Sequence, residues 1–340
     1  MAVTMRDVAR QAGFSVATVS RVLSGSGPVA ERTRARVMET AAALRYVPNA
    51  TARSLTTSLN ETVGVLLPDL YGEFYSEVIR GVEGAARARR YHTVLTSVQG
   101  GPGELAAALR SLVGRVDGLV AMSPEIEPDV LRANFPAGVP VAMLGRALDG
   151  HAAVTIDNEA GARGMVSHLA GLGHRRIAHV GGGAANADAR ARLAGYRHVV
   201  AERGLDADPA LVLQGDFTEA SGHSAGRALL EMADRPSAVF AANDAMALGV
   251  LRALREGGLS VPDDVALAGF DDIPVAQYVI PGLTTVHVPI QEMGAWAVEA
   301  VLDAVSQAAA GGNGRSGAPG AVSLPTRVVV RESCGGPRSA

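Results

Sequence analysis

From Met5 to Leu44 apolar residues recur every three or four positions, and the runs are short, which predicts small amphipathic helices with almost no strand character. The pattern stops at Tyr46-Val47-Pro48-Asn49, where proline disfavours a helical conformation in the residue before it. From Thr62 to Ile290 the grammar changes. Short β-branched runs alternate with longer helical stretches: TVGVLLP, FYSEVIRGVEGAARARR, HTVLTSV, ELAAALRSLVG, DGLVAM, VPVAMLG, AVTID, a helix around 160–171, RRIAHVGG, LVLQGDF, SAVFAAND, MALGVLRALREGG and DVALAGFDD. This alternation predicts an α/β fold of parallel sheets covered by helices, arranged as two lobes. The stretch 307–321 is rich in Gly, Ala and Ser and reads as a flexible loop before a last strand, PTRVVVRE.

Punctuation divides the chain into a helical unit at 1–48, a short segment at 49–60, an α/β core at 61–334 and a tail at 335–340. Within the core the expected first lobe is about 61–160 plus 290–320, and the second about 161–289 plus 321–334. Length supports this division, since 340 residues exceed one ordinary domain. With 48% hydrophobic and 19% charged residues, the composition is that of a globular chain rather than a disordered one. No apolar run reaches a membrane span, and MAVTMRDVARQAG carries no secretory signal, so a cytoplasmic location is expected. The single Cys334 has no disulfide mate and no metal-ligand companions.

Charge is unevenly placed. Residues 1–60 hold eight arginines against Asp7, Glu31 and Glu39, a balance of +5 in a chain whose total is −3. A basic unit on an acidic body points the first sixty residues, and not the rest, toward a polyanion.

That unit has the layout of a DNA reader. Thr4 and Asp7 can cap a first helix that Gly13 ends, and after about three residues Ser15 opens a second helix from Val16 to about Leu23. Such spacing lets a second helix lie in a major groove. Ala9, Val19 and Val22 are the expected contacts between helices, which turns Val16, Ala17 and Arg21 outward, with Thr18 and Ser20 near the backbone. Arginine bonds a guanine edge through two donors, and Val16 and Ala17 fit a thymine methyl. A third helix, about Glu31 to Leu44, should bury Val37, Met38, Ala41 and Leu44. Asn49 to Leu55 reads as a helix too short to persist alone, with small residues such as Ala52 on one face and a leucine suited to wedge a base step. Its plainer alternative is a linker.

MRDVARQAGFSVATVSRVLSG, VPNATARSL and VGVLLPD together resemble the LacI/GalR family of bacterial transcription regulators, and the resemblance runs from Thr4 to the VVVRES near the C-terminus. It implies a helix-turn-helix headpiece, a hinge helix at 49–60, and a core like the type I periplasmic sugar-binding proteins, acting as a homodimer or a dimer of dimers. It implies double-stranded operator DNA as partner, with a pseudo-palindromic site and a central C-G step. Val16, Ala17 and Arg21 then match base-reading positions, Leu55 the intercalating leucine, and Ser15, Thr18, Tyr46 and Asn49 contacts to the DNA backbone; Thr4 and Ala52 complete the expected DNA-binding set. Ala30 departs from the family, whose members often place a capping serine there.

Ligands of open α/β sheets bind beyond the carboxyl ends of the strands. Those positions here carry Asp69, Phe74 and Tyr75, the loop GGGAANADARARLAGY, Phe217, Asn243-Asp244 and Asp271-Asp272, a mixture suited to a ligand with many hydroxyls. By the resemblance Arg192 is the effector arginine, Asn186 and Asp188 lie on its loop, Asn243 and Asp271 are further contacts, and Tyr75 and Phe217 stand where purine-responsive relatives stack a base. The rival reading makes Asn243-Asp244 and Asp271-Asp272 helix N-caps. The triple glycine 181–183 lacks the G-x-G-x-x-G of a dinucleotide loop, and His168, His174, His179, His198 and His223 lack the paired spacing of a zinc site, most of them being expected to be solvated or half-buried. With no nucleophile-plus-base motif, no catalysis and no cofactor are expected. The expected function is a repressor whose operator affinity is switched by a small sugar or nucleoside. The alternatives are a solute-binding protein of a sugar transporter, cytoplasmic or exported, and an α/β enzyme fused to a DNA module.

Overall fold

The computed structural model describes residues 3–24, 28–46, 59–98, 102–310 and 320–335. The chain divides into two compact units, Met1–Asn60 and Glu61–Ala340.

The first unit contains α1 (Met5–Ala12), α2 (Val16–Ser24) and α3 (Glu31–Ala43). Thr4 and Asp7 form a reciprocal cap on α1: the Thr4 hydroxyl accepts from the Asp7 amide at 3.4 Å and the Asp7 carboxylate accepts from the Thr4 amide at 3.0 Å. Gly13, at φ 78°, ends α1 in the left-handed conformation that costs a glycine least. Ser15 Oγ then accepts from the Thr18 amide at 3.1 Å and caps α2. Val8, Ala9, Ala12, Val19, Val22, Val37 and Ala41 form the small core, with Leu44 and Tyr46 packed at its edge. Met38, expected inside, is 51% exposed. It directly follows the buried Val37, about 100° round the helix, and three helices of this length cannot cover so wide a stripe. Ala30 makes no side-chain cap to α3, as its methyl requires.

The second unit holds two parallel sheets. The first lobe uses β1 (Thr62–Leu67), β2 (His92–Ser97), β3 (Gly118–Ala121), β4 (Val141–Leu144), β5 (Ala152–Ile156) and β11 (Ala321–Leu324), in the order β11-β5-β4-β3-β1-β2. Helices α4 (Glu73–Ala88) and α11 (Ile290–Ala309) pack together, α11 against β3, β4 and β5, while α5 (Pro102–Leu112) and α6 (Pro128–Asn134) supply leucines to a core with β1, β3 and β4. The second lobe orders its strands β7-β6-β8-β9, from β6 (Ile177–Gly181), β7 (Val212–Gln214), β8 (Ala238–Ala241) and β9 (Ala266–Ala268). Helices α7 (Asn158–Gly171) and α8 (Ala187–Glu202) pair with each other, and α9 (Glu219–Leu230) pairs with α10 (Asp244–Glu256). β1, β3, β4, β6 and β8 are apolar almost throughout because helices cover both faces of a parallel sheet.

The chain passes between lobes three times: after β5, before α11, and between β11 and β12 (Arg327–Val329). β12 pairs antiparallel with β10 (Thr285–His287), and bridges from Ala268 to Thr284 and from Asp271 to His287 join this ribbon to the second lobe. Two expectations change here. The last return to the second lobe lies after Leu324 rather than at 321, because β11 pairs with β5, and the reputed loop gives its first three residues, 307–309, to α11 and Ala321 to β11. No helix among the described residues is long and apolar enough to cross a membrane.

His179 is the exception to the expectation that most of the histidines are solvated or half-buried. Its ring lies wholly inside the second lobe between Tyr196 and Phe240, with centroids 5.1 Å from each. Nδ1 meets the Phe240 carbonyl at 3.0 Å and Nε2 has no partner. Burial drives the imidazole pKa down to about 4. Unfolding therefore takes up a proton below the ordinary histidine pKa, and stability is lost as pH falls from about 6.5 toward 4, by up to roughly 3 kcal/mol. Replacing His179 with Phe should flatten that acid limb: the melting-temperature advantage of the variant is expected to grow as pH drops from 7 to 4.5, and a constant offset would contradict the assignment.

Candidate functional sites

In the headpiece, Val16, Ala17 and, about one turn further on, Arg21 are exposed on α2, while the buried Val19 and Val22 hold the helix down. This is the geometry a recognition helix needs: a fixed back and an exposed front. Ser15 is exposed at the start of α2, Thr18 half-buried beside it with its hydroxyl 2.9 Å from that of Ser15, and Thr4 exposed at the start of α1. Tyr46 follows α3, half-buried, where Arg45 turns left-handed at φ 49° and the Tyr46 amide donates to the Ala41 carbonyl at 2.8 Å. Asn49, Ala52 and Leu55 lie outside the described residues.

In the core, a cleft of about 370 Å³ opens at the carboxyl ends of the strands and receives side chains from both lobes. All nine residues singled out in the core line it: Asp69, Phe74 and Tyr75 from the first lobe, and Asn186, Asp188, Arg192, Phe217, Asn243 and Asp271 from the second. They converge because each follows a strand or lies in the first two turns of the next helix, and parallel strands bring all such positions to one edge.

Arg192 is the centre. Its guanidinium is almost fully buried; Nε donates to Asn158 Oδ1 at 2.8 Å, and Nη1 to the Ala242 carbonyl at 2.5 Å and to Asp271 Oδ1 at 3.3 Å. It lies over the Phe270 ring, 3.8 Å from the centroid, with Phe217 5.9 Å away. Asn158 also donates to Asp188 Oδ1 at 2.9 Å, so one asparagine orients both the cation and a carboxylate. Burial raises the Asp188 pKa against the pull of Arg192. Burial likewise pushes Asp271 up to about 7, the nearby Arg192 charge opposing it. Tyr75 is raised by burial and by surrounding carboxylates, Asp69 and Asp271 among them, so its phenol stays protonated and able to donate.

Two of the nine have structural duties that reduce what they offer a ligand. Asn243 is the N-cap of α10, its Oδ1 accepting from the Met246 amide at 2.9 Å while Nδ2 donates to the Phe217 carbonyl at 3.0 Å. Asn186 caps α8 by accepting from the amides of Asp188 and Ala189. Asp271 caps no helix: at φ 114° it points at Arg192, and Asp272, at φ 58°, instead holds Arg331 at 2.7 Å and His287 at 2.9 Å. Asp244 lies entirely inside, bound to Thr285 Oγ1 and the Ile273 amide, its pKa raised well above the usual carboxylate value by burial and then by Asp271.

The triple glycine has a packing role. A Cβ on Gly182 would collide with the Phe217 ring, so glycine there lets the aromatic close over the end of β6. Sequence reasoning missed Asn158, Asp216, Glu219, Phe270 and the mouth contact in which Glu73 accepts from the Val275 amide at 3.0 Å, joining the two lobes. Asn158 was findable, because it directly follows the AVTID strand.

A headpiece with an exposed recognition helix and a two-lobed core with a polar cleft define a DNA-binding regulator with a ligand-binding body. Residues 4–49 match the bacterial regulatory proteins of the lacI family, and residues 166–334 the periplasmic binding protein-like domain. The ribose operon repressor of Escherichia coli K12 is 38% identical over 309 residues, covering 89% of this chain and 93% of its own. Catabolite control protein A of Priestia megaterium is 34% identical over 98% of this chain and 99% of its own. The crystal structure of the lac repressor dimer bound to operator and the anti-inducer ONPF superposes with a TM-score of 0.85 at 29% identity, covering 98% of this chain and 99% of that one. The chain belongs to the LacI family of bacterial transcriptional regulators. It is therefore not an enzyme, and the transporter alternative falls with the headpiece match.

Asp271 should trade stability for readiness to bind. A carboxyl whose folded pKa is raised is best tolerated when protonated, so its contribution is lost as pH rises from about 4 to about 7. Asp271→Asn keeps an acceptor for Arg192 and removes that loss. Its melting temperature relative to wild type is expected to be higher at pH 8 than at pH 5; the reverse order would mean that the Arg192–Asp271 pair is a net stabilising ion pair.

Proposed function

We propose that the chain is a ligand-gated repressor: its headpiece reads a duplex operator as a homodimer in the cytoplasm, and a sugar or nucleoside held in the core cleft changes operator affinity. The observation that carries the effector half is the buried Arg192, set at the cleft edge beside Asp271 and Asp188 and backed by Phe270. Buried charges with a free face on a cleft suit a ligand rich in hydroxyls, which offers both donors and acceptors at short spacing. The aromatic groups Phe74, Tyr75 and Phe217 suit the apolar face of a sugar ring or a base. The operator and anti-inducer of the lac repressor structure and the ribose operon of the closely similar repressor support both halves. Gating then needs only that the effector prefer one arrangement of the lobes, since the coupling cannot exceed its differential affinity for the two.

On the DNA side, Arg21 supplies base discrimination and Val16 and Ala17 supply apolar contact, while Ser15, Thr18, Tyr46 and the hinge residues Asn49, Ala52 and Leu55 meet the duplex backbone and minor groove. Arg21→Ala should lower the preference for operator over random duplex by about tenfold or more, equivalent to roughly 1–3 kcal/mol, with the headpiece still folded. Competition gel shifts at moderate salt measure this, and absence of any preferred duplex for the wild-type chain would sink the reading. Adding a panel of sugars and nucleosides should reveal one that shifts operator affinity at least tenfold, and Arg192→Gln should abolish that response. A ligand at a hundred times its Kd should also stabilise the core by about 2.7 kcal/mol in a thermal melt.

A further inference from the structure

The charge inside the cleft is lopsided. Among the described residues that line it, six carry carboxylates, Asp69, Glu73, Asp188, Asp216, Glu219 and Asp271, and one carries a cation, Arg192. The cation is largely spent on the protein. Nε and Nη1 serve Asn158, the Ala242 carbonyl and Asp271, and only Nη2 is left to face a ligand. The Arg146 charge acts on Asp188, but its Nη1 donates to the Ile126 carbonyl at 2.7 Å and the Ser123 carbonyl at 3.4 Å, and it does not line the cleft. The amides of Leu70 and Tyr71, which an anion could have used, already donate to Asp69 Oδ1 at 2.6 and 3.1 Å. The Thr218 amide donates to Asp216 Oδ1 at 3.0 Å.

We infer that this cleft is specific for uncharged polyhydroxylated effectors and rejects their phosphorylated or carboxylated counterparts. The inference rests on the effector-site reading above and narrows it. A hydroxyl donates to a carboxylate and gains from every acid it meets, whereas a phosphate finds one partly used guanidinium and several like charges at short range. In a cleft with low-dielectric walls that repulsion is weakly screened. Selectivity of this kind comes from what the site repels as much as from what it attracts.

The experiment uses the full-length chain and matched pairs at constant ionic strength: ribose and ribose 5-phosphate, glucose with glucose 6-phosphate and glucuronate, cellobiose and cellobionate, adenosine and AMP. Thermal shift identifies the pairs that bind and calorimetry measures them. The uncharged member of at least one pair should bind about thirtyfold or more tightly than its anionic partner. In the double variant Asp216→Asn/Glu219→Gln, which removes two rim charges, that ratio should shrink several-fold. An anionic member that binds as well as its neutral partner, or better, overturns the inference and leaves the effector reading standing. A ratio that does not change in the double variant also overturns it, because the discrimination then has another source. If no probe of either charge binds or alters operator affinity, the effector reading falls and this inference with it.

Discussion

The second lobe is organised by the need to satisfy one buried guanidinium. Arg192 rises from α8 and is met by the ends of three other segments: Asn158 at the crossing after β5, Ala242 after β8, and Asp271 after β9. Breaking a buried pair from one side leaves a charge with no water to reach, which costs about 3–5 kcal/mol, so each of these segments is tied to the others. Phe270 completes the cage from below and itself presses against Gly161 of α7, where no side chain could fit. Strained backbone persists under these conditions: Phe217 and Asp271 hold positive φ, at 68° and 114°, because what surrounds them over-determines where their side chains go.

This cage explains why stability and recognition are hard to separate here. Asn243 has both ends of its amide committed, one to α10 and one to the Phe217 carbonyl, so its effect on a ligand passes chiefly through the placement of that ring. Asn186 is similar, since its oxygen holds the first turn of α8 and thereby fixes where Asp188 and Arg192 point. The cap reading and the site reading, which look like rivals in a linear sequence, describe one residue doing both at a helix start beside a cleft. Asp271 is the exception, with no helix to cap: among the described residues its buried carboxyl serves the Arg192 guanidinium alone.

Much of this was legible beforehand, for identifiable reasons. Fully buried parallel strands must be apolar runs, so β1, β3, β4, β6 and β8 announced themselves, and the rule about strand ends then located the cleft residues. The Thr4–Asp7 cap was readable because it is local. What stayed hidden was set by partners distant in sequence. β11 carries AVSL beside a glycine-rich stretch and becomes a strand only because β5 offers an open edge. His179 sits within an apolar run, and its complete burial depends on Tyr196 and Phe240, whose rings no periodicity places beside it. Met38 fits a helical stripe that proved wider than the headpiece interior, and Asn158, although its strand-end position is readable, gets its role from Asp188 and Arg192, 30 and 34 residues away.

The order of strands has a consequence for biosynthesis. β11 closes the outer edge of the first lobe's sheet and β12 pairs with β10 in the two-stranded ribbon that is bridged to the second lobe, and only nine residues, 321–329, provide both. A ribosome that has made the first three hundred residues has thus delivered one lobe without its border strand and another whose β10 has no antiparallel partner. Neither is finished until residues 321–329 have been made, and premature termination before them would damage both halves together instead of sparing one.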